Sequence, residues 1–194
     1  PNKPATAMDS ANHIDGVRFI PAYALFHIFA ALALWNRSSR AAASIIAIVV
    51  AAALCDLYEN GIMTDITGNL TNADQLLTPL AVVARLKFGL LGFAAIILGY
   101  LVQLYGCVWR WPGWQIMVCG ALALVGVAVG LIHAITGTPT PLTFHFLKVQ
   151  QFVVGNISVA WVLLLLVALY RPEPSNGGRL SQWLKQCLAK IRWC

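Results

Sequence analysis

Five apolar runs, each long enough to cross a bilayer, take up most of this sequence: residues 19–35, 41–63, 79–106, 114–135 and 142–170. About 20 consecutive apolar residues span the hydrocarbon core as a helix. A segment in lipid must satisfy its own backbone hydrogen bonds, which makes the helix the expected form of each run. Composition agrees, since 59% of the 194 residues are hydrophobic and only 10% are charged, against about 25% charged in soluble domains. The expected fold is therefore all-α, an integral membrane bundle of about five transmembrane helices over residues 19–170. An external segment, 1–18, precedes it. A linker, 171–178, leads to a C-terminal amphipathic surface helix, 179–194.

Local punctuation predicts where the spans begin and end. Thr78 before Pro79 reads as an N-cap with proline at the first helical position, and Asn60-Gly61 reads as a helix stop. Trp111-Pro112-Gly113 and Thr138-Pro139-Thr140-Pro141 are expected to break the chain between spans. Trp35, Trp109, Trp111, Trp114 and Tyr170 fall at span ends, where an amphipathic ring suits the water boundary. Cys55, Cys107 and Cys119 lie in or beside apolar runs, without CxxC or Cys/His metal spacing, and read as small packing residues. The chain begins at Pro1 and shows no signal peptide, so it reads as processed, trimmed, or part of something longer.

Loop charges set an orientation. Arg37 and Arg40 lie in the first connection, Arg110 in the third, and Arg171, Arg179, Lys185, Lys190 and Arg192 beyond the last span. The second and fourth connections carry no Lys or Arg. The positive-inside rule then places the C-terminus in the cytoplasm and the N-terminus outside. An odd number of spans with an outside start fits a chain preceded by a further membrane segment. Asp9, Asp15, Asp56, Glu59, Asp65 and Asp74 gather toward the outer side, with all four histidines. The net charge of +6 is thus a membrane-orientation signal and no indication of nucleic acid. In the tail, Leu180, Trp183, Leu184, Cys187, Leu188 and Ile191 repeat at helical spacing opposite basic and amide residues. Such a helix would lie on the anionic inner leaflet or dock a protein partner.

The most specific signal is a polar constellation inside the apolar runs. Asp56, Glu59 and Asn60 stack on one helix face, and a charge within a span costs about 3 kcal/mol on insertion scales, so that face must look into the bundle or a watery cavity. Arg85 and Lys87 point to nearly opposite faces of the third span. Lys87, the deeper one, is expected to face inward, leaving Arg85 to snorkel. His145, Lys148 and Gln151 share a face of the fifth span, and His27 and His133 lie in the first and fourth. Two accounts stay open. The charges form an ion-pair network that fixes helix register, or they line a functional cavity, the default for intramembrane ionisable groups.

Other chemistry is weakly signalled. His27, His133, His145, Asp56 and Glu59 are suitable metal ligand types, but no HExxH or HxxxH spacing pre-arranges two of them, and no metal is expected. A b-type haem on His27 and His133 would need matching depth, and His27 lies deeper. No GxSxG motif supports a serine hydrolase. Asp56 or Glu59 could act as an acid or base, so an enzymatic role is left open and no cofactor is indicated. Gly126 and Gly130 form a GxxxG expected to make a helix contact within the bundle. The polar stretch 64–78 reads as a connection or a lid.

Phe19-Ile20-Pro21-Ala22-Tyr23, Asp56-Leu57-Tyr58-Glu59-Asn60 and Arg85-Leu86-Lys87-Phe88 together resemble uncharacterised small bacterial polytopic membrane proteins with an Asp-x-x-Glu-Asn helix followed by an intramembrane lysine. The likeness covers roughly the first three spans. It implies that Asp56, Glu59, Asn60 and Lys87 act as one unit, and a bacterial inner membrane location; it carries no activity with it.

The sequence thus leads to an outward-side polar pocket that binds a small amphipathic or lipid-like molecule, with chemical modification of that molecule left open. Its expected lining is Asp56, Glu59, Asn60, Lys87, His27, His133, His145, Lys148 and Gln151. The alternatives are a structural or anchoring subunit of a larger membrane assembly, and a transporter or proton-coupled protein.

Overall fold

The computed structural model describes residues 3–69, 73–104, 107–136 and 162. Among them it is all-helical: α1 (Lys3–Ile14), a π-helical turn (Asp15–Phe19), α2 (Ile20–Ala33), α3 (Ser39–Gly68), α4 (Ala73–Gln103) and α5 (Cys107–Thr136). Four stretches are long and apolar enough to cross a membrane, Met8–Ala33, Ser39–Gly68, Ala73–Gln103 and Trp109–Ile132. The fifth run, 142–170, and the amphipathic segment 179–194 lie outside the described residues.

The helices run further than the sequence punctuation suggests, and each difference has a local cause. Asn60-Gly61 does not end α3, which continues to Gly68. Asn60 is buried there and its amide donates to Asp15, so a tertiary partner overrides its weak helix propensity. Pro79 lies inside α4 and Pro112 inside α5. Each proline is near the start of its helix, where the missing N–H disturbs only the first turns and the helix continues. Thr64–Gly68 and Ala73–Thr78, expected to be a connection or a lid, are therefore helical. Within segment 1–18, the helix that starts at Lys3 runs on through the π turn into α2.

The π turn has a chemical cause in Pro21, which has no N–H to donate to the Val17 carbonyl. Just before it, the Ile20 amide reaches back five residues to the Asp15 carbonyl, the wider turn that π-bulges insert into α-helices. At the other end of this span, Ala33–Leu34 closes the helix and the Ser38 hydroxyl caps α3 by accepting from the Ala41 amide.

Packing is sequential: α2 lies against α3, α3 against α4, and α4 against α5, while α1 also lies along α3. Short connections make successive helices antiparallel. The α4–α5 pair is fitted closely by four glycines. A Cβ on Gly99 would stand 2.5 Å from the Gly113 carbonyl oxygen, and one on Gly120 would stand 2.5 Å from that of Gly92. The contacts are reciprocal and spaced seven residues apart on both helices, so the backbones touch along a seam about two turns long. Gly113, expected to break the chain, is part of this seam. Gly130 of the GxxxG packs instead against the Arg85 side chain.

On α3 the buried stripe runs Ala42, Ile45, Val49, Ala52, Asp56 and Asn60, a spacing of three and four that keeps one face inward. Outward residues are largely apolar: Leu25, Phe29 and Leu32 on α2, Leu86, Phe93 and Tyr100 on α4, and Val118, Leu122 and Val125 on α5 are exposed. So continuous an apolar surface is far beyond the patches of a water-soluble monomer.

Candidate functional site

The inward stripe of α3 changes from apolar to ionisable at Asp56, and three helices meet there. Asp56 is 3% exposed. Lys87 on α4 donates to its Oδ1 at 2.7 Å, and the Tyr23 hydroxyl on α2 donates to its Oδ2 at 3.0 Å. One turn further along α3, Glu59 Oε2 lies 2.5 Å from the same Lys87 Nζ. Oε2 is itself buried, and the Lys87 ammonium therefore bridges the two carboxylates. The Lys87 and Glu59 side chains keep 12% and 14% of their surface exposed. Lys87 Nζ also stands 5.0 Å from the centre of the Phe88 ring, within cation–π range.

The helix lengths place this cluster deep. Asp56 is about 18 Å along the axis from the end of α3 at Gly68, and Lys87 about 21 Å from the start of α4 at Ala73. Beyond the cluster the described interior is apolar, with Ala42, Ile45, Val49, Ala52, Ala94, Leu98 and Leu101 all buried.

Toward the α3–α4 connection, a ladder of side-chain hydrogen bonds ties the first helix to α3. Asn60 Nδ2 donates to Asp15 Oδ2 at 2.9 Å, and Thr67 Oγ1 donates to Asp9 Oδ1 at 2.7 Å. Asp9 and Asn12 of α1 and Asp15 at the start of the π turn are three residues apart and lie along one side of this first helix. Asn12 Nδ2, between the two bonded rungs, is buried without a hydrogen-bond partner among the described residues. Phe19, at the end of the π turn, forms a column of edge-to-face rings with Tyr23 and His27 of α2, with centroids 5.6 and 6.4 Å apart, and Phe26 meets His27 at 6.1 Å. His27 is buried, its Nδ1 2.7 Å from the Tyr23 carbonyl oxygen.

The structure thus brings Asp56, Glu59 and Lys87 into direct contact, sets Asn60 on the next turn with Asp15, and places His27 one turn from Tyr23, against its ring and its carbonyl. His133 falls in the last turn of α5, but its side chain lies outside what is described, as do His145, Lys148 and Gln151. Arg85 lies apart from the carboxylates, against α5. Tyr23 and Asp15 are site residues that the sequence reading missed. Tyr23 stands in the Phe19–Tyr23 motif and one helical repeat before His27, which marks it as inward-facing. Asp15 falls outside the apolar run and carries no such signal.

Among the described residues no group of three His, Cys, Asp or Glu side chains is arranged to hold a metal ion. Protein-family models, curated proteins and solved structures all give no match to the chain.

Proposed function

We propose that the chain is an integral membrane protein, of a bacterial inner membrane with its N-terminus outside, whose polar cluster binds the head group of a small amphipathic or lipid-like molecule. The observation that carries this reading is the Lys87 ammonium held between Asp56 and Glu59 among helices whose outward faces are apolar. Ionisable groups inside spans cost several kcal/mol to place there, and substrate, ion or proton sites are their usual use. A head group would meet the partly open edge at Glu59 and Lys87, while its tail would lie along the lipid-facing side of α3, where Leu57 and Tyr58 are exposed. Asp56 and Glu59 are also the groups that would exchange a proton with such a molecule if it is chemically modified at this site.

Native mass spectrometry of the full chain, released from a mild detergent, tests the reading. The wild type is expected to retain a small amphipathic molecule that Lys87→Met loses while still eluting as a folded species. Equal retention by the two proteins sinks it.

A second reading draws on the saturation of Asp56. Both its oxygens are bonded, which suits a network that fixes helix register in a structural or anchoring subunit. Its protein contacts would include the C-terminal amphipathic segment. Transport or proton coupling is weaker, because the described interior beyond Ala52 is apolar and offers no continuing polar path.

A further inference from the structure

We propose that the end of the α4–α5 seam nearest the α3–α4 connection binds an anionic phospholipid, with the Arg85 guanidinium holding its phosphate. This site is separate from the Lys87 cluster and does not depend on the pocket reading above.

The spacing of the seam sets up the site. Gly99 faces Gly113 and Gly92 faces Gly120, so seven residues back along α4 are matched by seven forward along α5. The next step sets Arg85 opposite Val127, a long cation where the two earlier steps have no side chain. Burial changes with it: Gly99 and Gly92 are buried, whereas Arg85, Gly89, Val127 and Gly130 are half-buried. A Cβ on Gly89, one turn from Arg85, would meet nothing within 4 Å. The close seam thus gives way to a crevice. Arg85 does not run up its own helix toward the boundary as a snorkelling side chain would. Its Nε stands 3.2 Å and its Cδ 3.8 Å from where a Cβ on Gly130 would be, so the side chain crosses onto α5 and the bare glycine makes room for it.

A guanidinium keeps its charge, and an ionised group inside a span needs a partner. The chain supplies no anion here. It has seven acids. Asp56 and Glu59 share Lys87, and Asp9 and Asp15 bond to Thr67 and Asn60. Asp65 and Asp74 form no ion pair with Arg85. The seventh, Glu173, follows the fifth apolar run, where the alternation of spans sets it at the opposite face of the membrane. Among the described residues Arg85 takes part in no ion pair or hydrogen bond.

Depth and surroundings select a lipid phosphate. Arg85 is six residues from Pro79, where the apolar run of α4 begins, and Gly130 is six from the end of α5 at Thr136, about 9 Å in both cases. A head group drawn in from the boundary meets the guanidinium there, and its fork takes two phosphate oxygens at once. Val82 and Leu86 on α4 and Leu131 and Ile132 on α5 are exposed at this level and would lie along the acyl chains. A free phosphate ion brings no such chains and would have to leave water for lipid unaided.

The test is native mass spectrometry of the full chain in a neutral detergent, with dioleoyl phosphatidylglycerol, dioleoylglycerol and inorganic phosphate as probes. The wild type is expected to bind the phospholipid about tenfold or more tighter than the diacylglycerol, and inorganic phosphate not at all. Arg85→Gln should lose this preference, Arg85→Lys should keep part of it, and Lys87→Met, which alters only the pocket, should keep it whole. The basic segment 179–194 also attracts anionic lipid, so a second measurement on the wild type alone locates the bound molecule. A phosphatidylglycerol with a diazirine near its head group should label α4 and α5 within about two turns of Arg85 and Gly130. That measurement decides the matter where Arg85→Gln fails to fold. An unchanged preference in folded Arg85→Gln overturns the proposal, as do equal binding of the two lipids by the wild type and labelling confined to other parts of the chain. Loss of the preference in folded Lys87→Met overturns the separate site, and leaves the pocket reading standing. Saturable binding of inorganic phosphate that Arg85→Gln abolishes also overturns it, because the site then takes a soluble anion.

Discussion

The α4–α5 seam and the junction of α2, α3 and α4 solve the same problem by opposite means. At the seam, Gly92, Gly99, Gly113 and Gly120 remove side chains so that two backbones touch, and the attraction is dispersion between closely fitted, uncharged surfaces. At the junction, helices are joined through Tyr23, Asp56, Glu59 and Lys87. Lipid offers no hydrophobic gain for bringing helices together, so a fold that needs only adhesion can use the first solution throughout. Replacing buried ion pairs by apolar side chains is often neutral or stabilising. Charges kept at one junction, when the adjacent seam does without them, are what the proposed pocket would account for.

The largest effect should come from breaking the junction on one side only. Lys87→Met leaves two carboxylates facing each other without a cation, and a loss of about 3–5 kcal/mol is expected by analogy with broken buried pairs, read as a fall in the thermal midpoint in detergent. The triple change Asp56→Leu, Glu59→Leu, Lys87→Met sharpens the comparison. Recovery of most of that loss would show that the charges are not needed for folding, whereas a triple variant as unstable as Lys87→Met would place the junction beside the seam as a structural device.

At the seam, Gly99→Val puts a branched side chain against the Gly113 carbonyl and the Met117 side chain. The expected cost is about 1–3 kcal/mol, the range for overpacking, with ligand retention little changed once the variant is folded. A variant that keeps wild-type stability would mean the helices are not in contact at these glycines. Tyr23→Phe removes one donor to Asp56 and should cost about 1–2 kcal/mol, since the Asp56 oxygen stays buried and loses its partner. The smallest effect is expected on the ladder. Asn12→Leu removes an amide nitrogen that is already without a partner among the described residues and should be neutral or stabilising by up to about 1 kcal/mol. A clear loss of stability there would show that the Asn12 amide is engaged in the folded protein.

Much of this was legible in the sequence, for physical reasons that can be named. Lipid admits few backbone solutions, so long apolar runs were enough to give the all-helical character and the four helices capable of crossing a membrane. Helical periodicity put Asp56, Glu59 and Asn60 on one face, and the deeper position of Lys87 singled it out over Arg85. What periodicity cannot supply is the partner of each group. Asn60-Gly61, Pro79 and Trp111-Pro112-Gly113 all look like ends by local propensity. The helices pass through them because Asn60 meets Asp15 and Gly113 meets Gly99 across helix interfaces. Tyr23 became a site residue only when α2 was laid against α3, and the different partners of Asp56 and Glu59 exist only in three dimensions. The sequence by itself determined which helices form and which of their faces turn inward, because both follow from the cost of exposing polar groups to lipid. Only the tertiary structure decided which polar group meets which, because hydrogen bonds and ion pairs act over about 3 Å and depend on how the helices are set against one another.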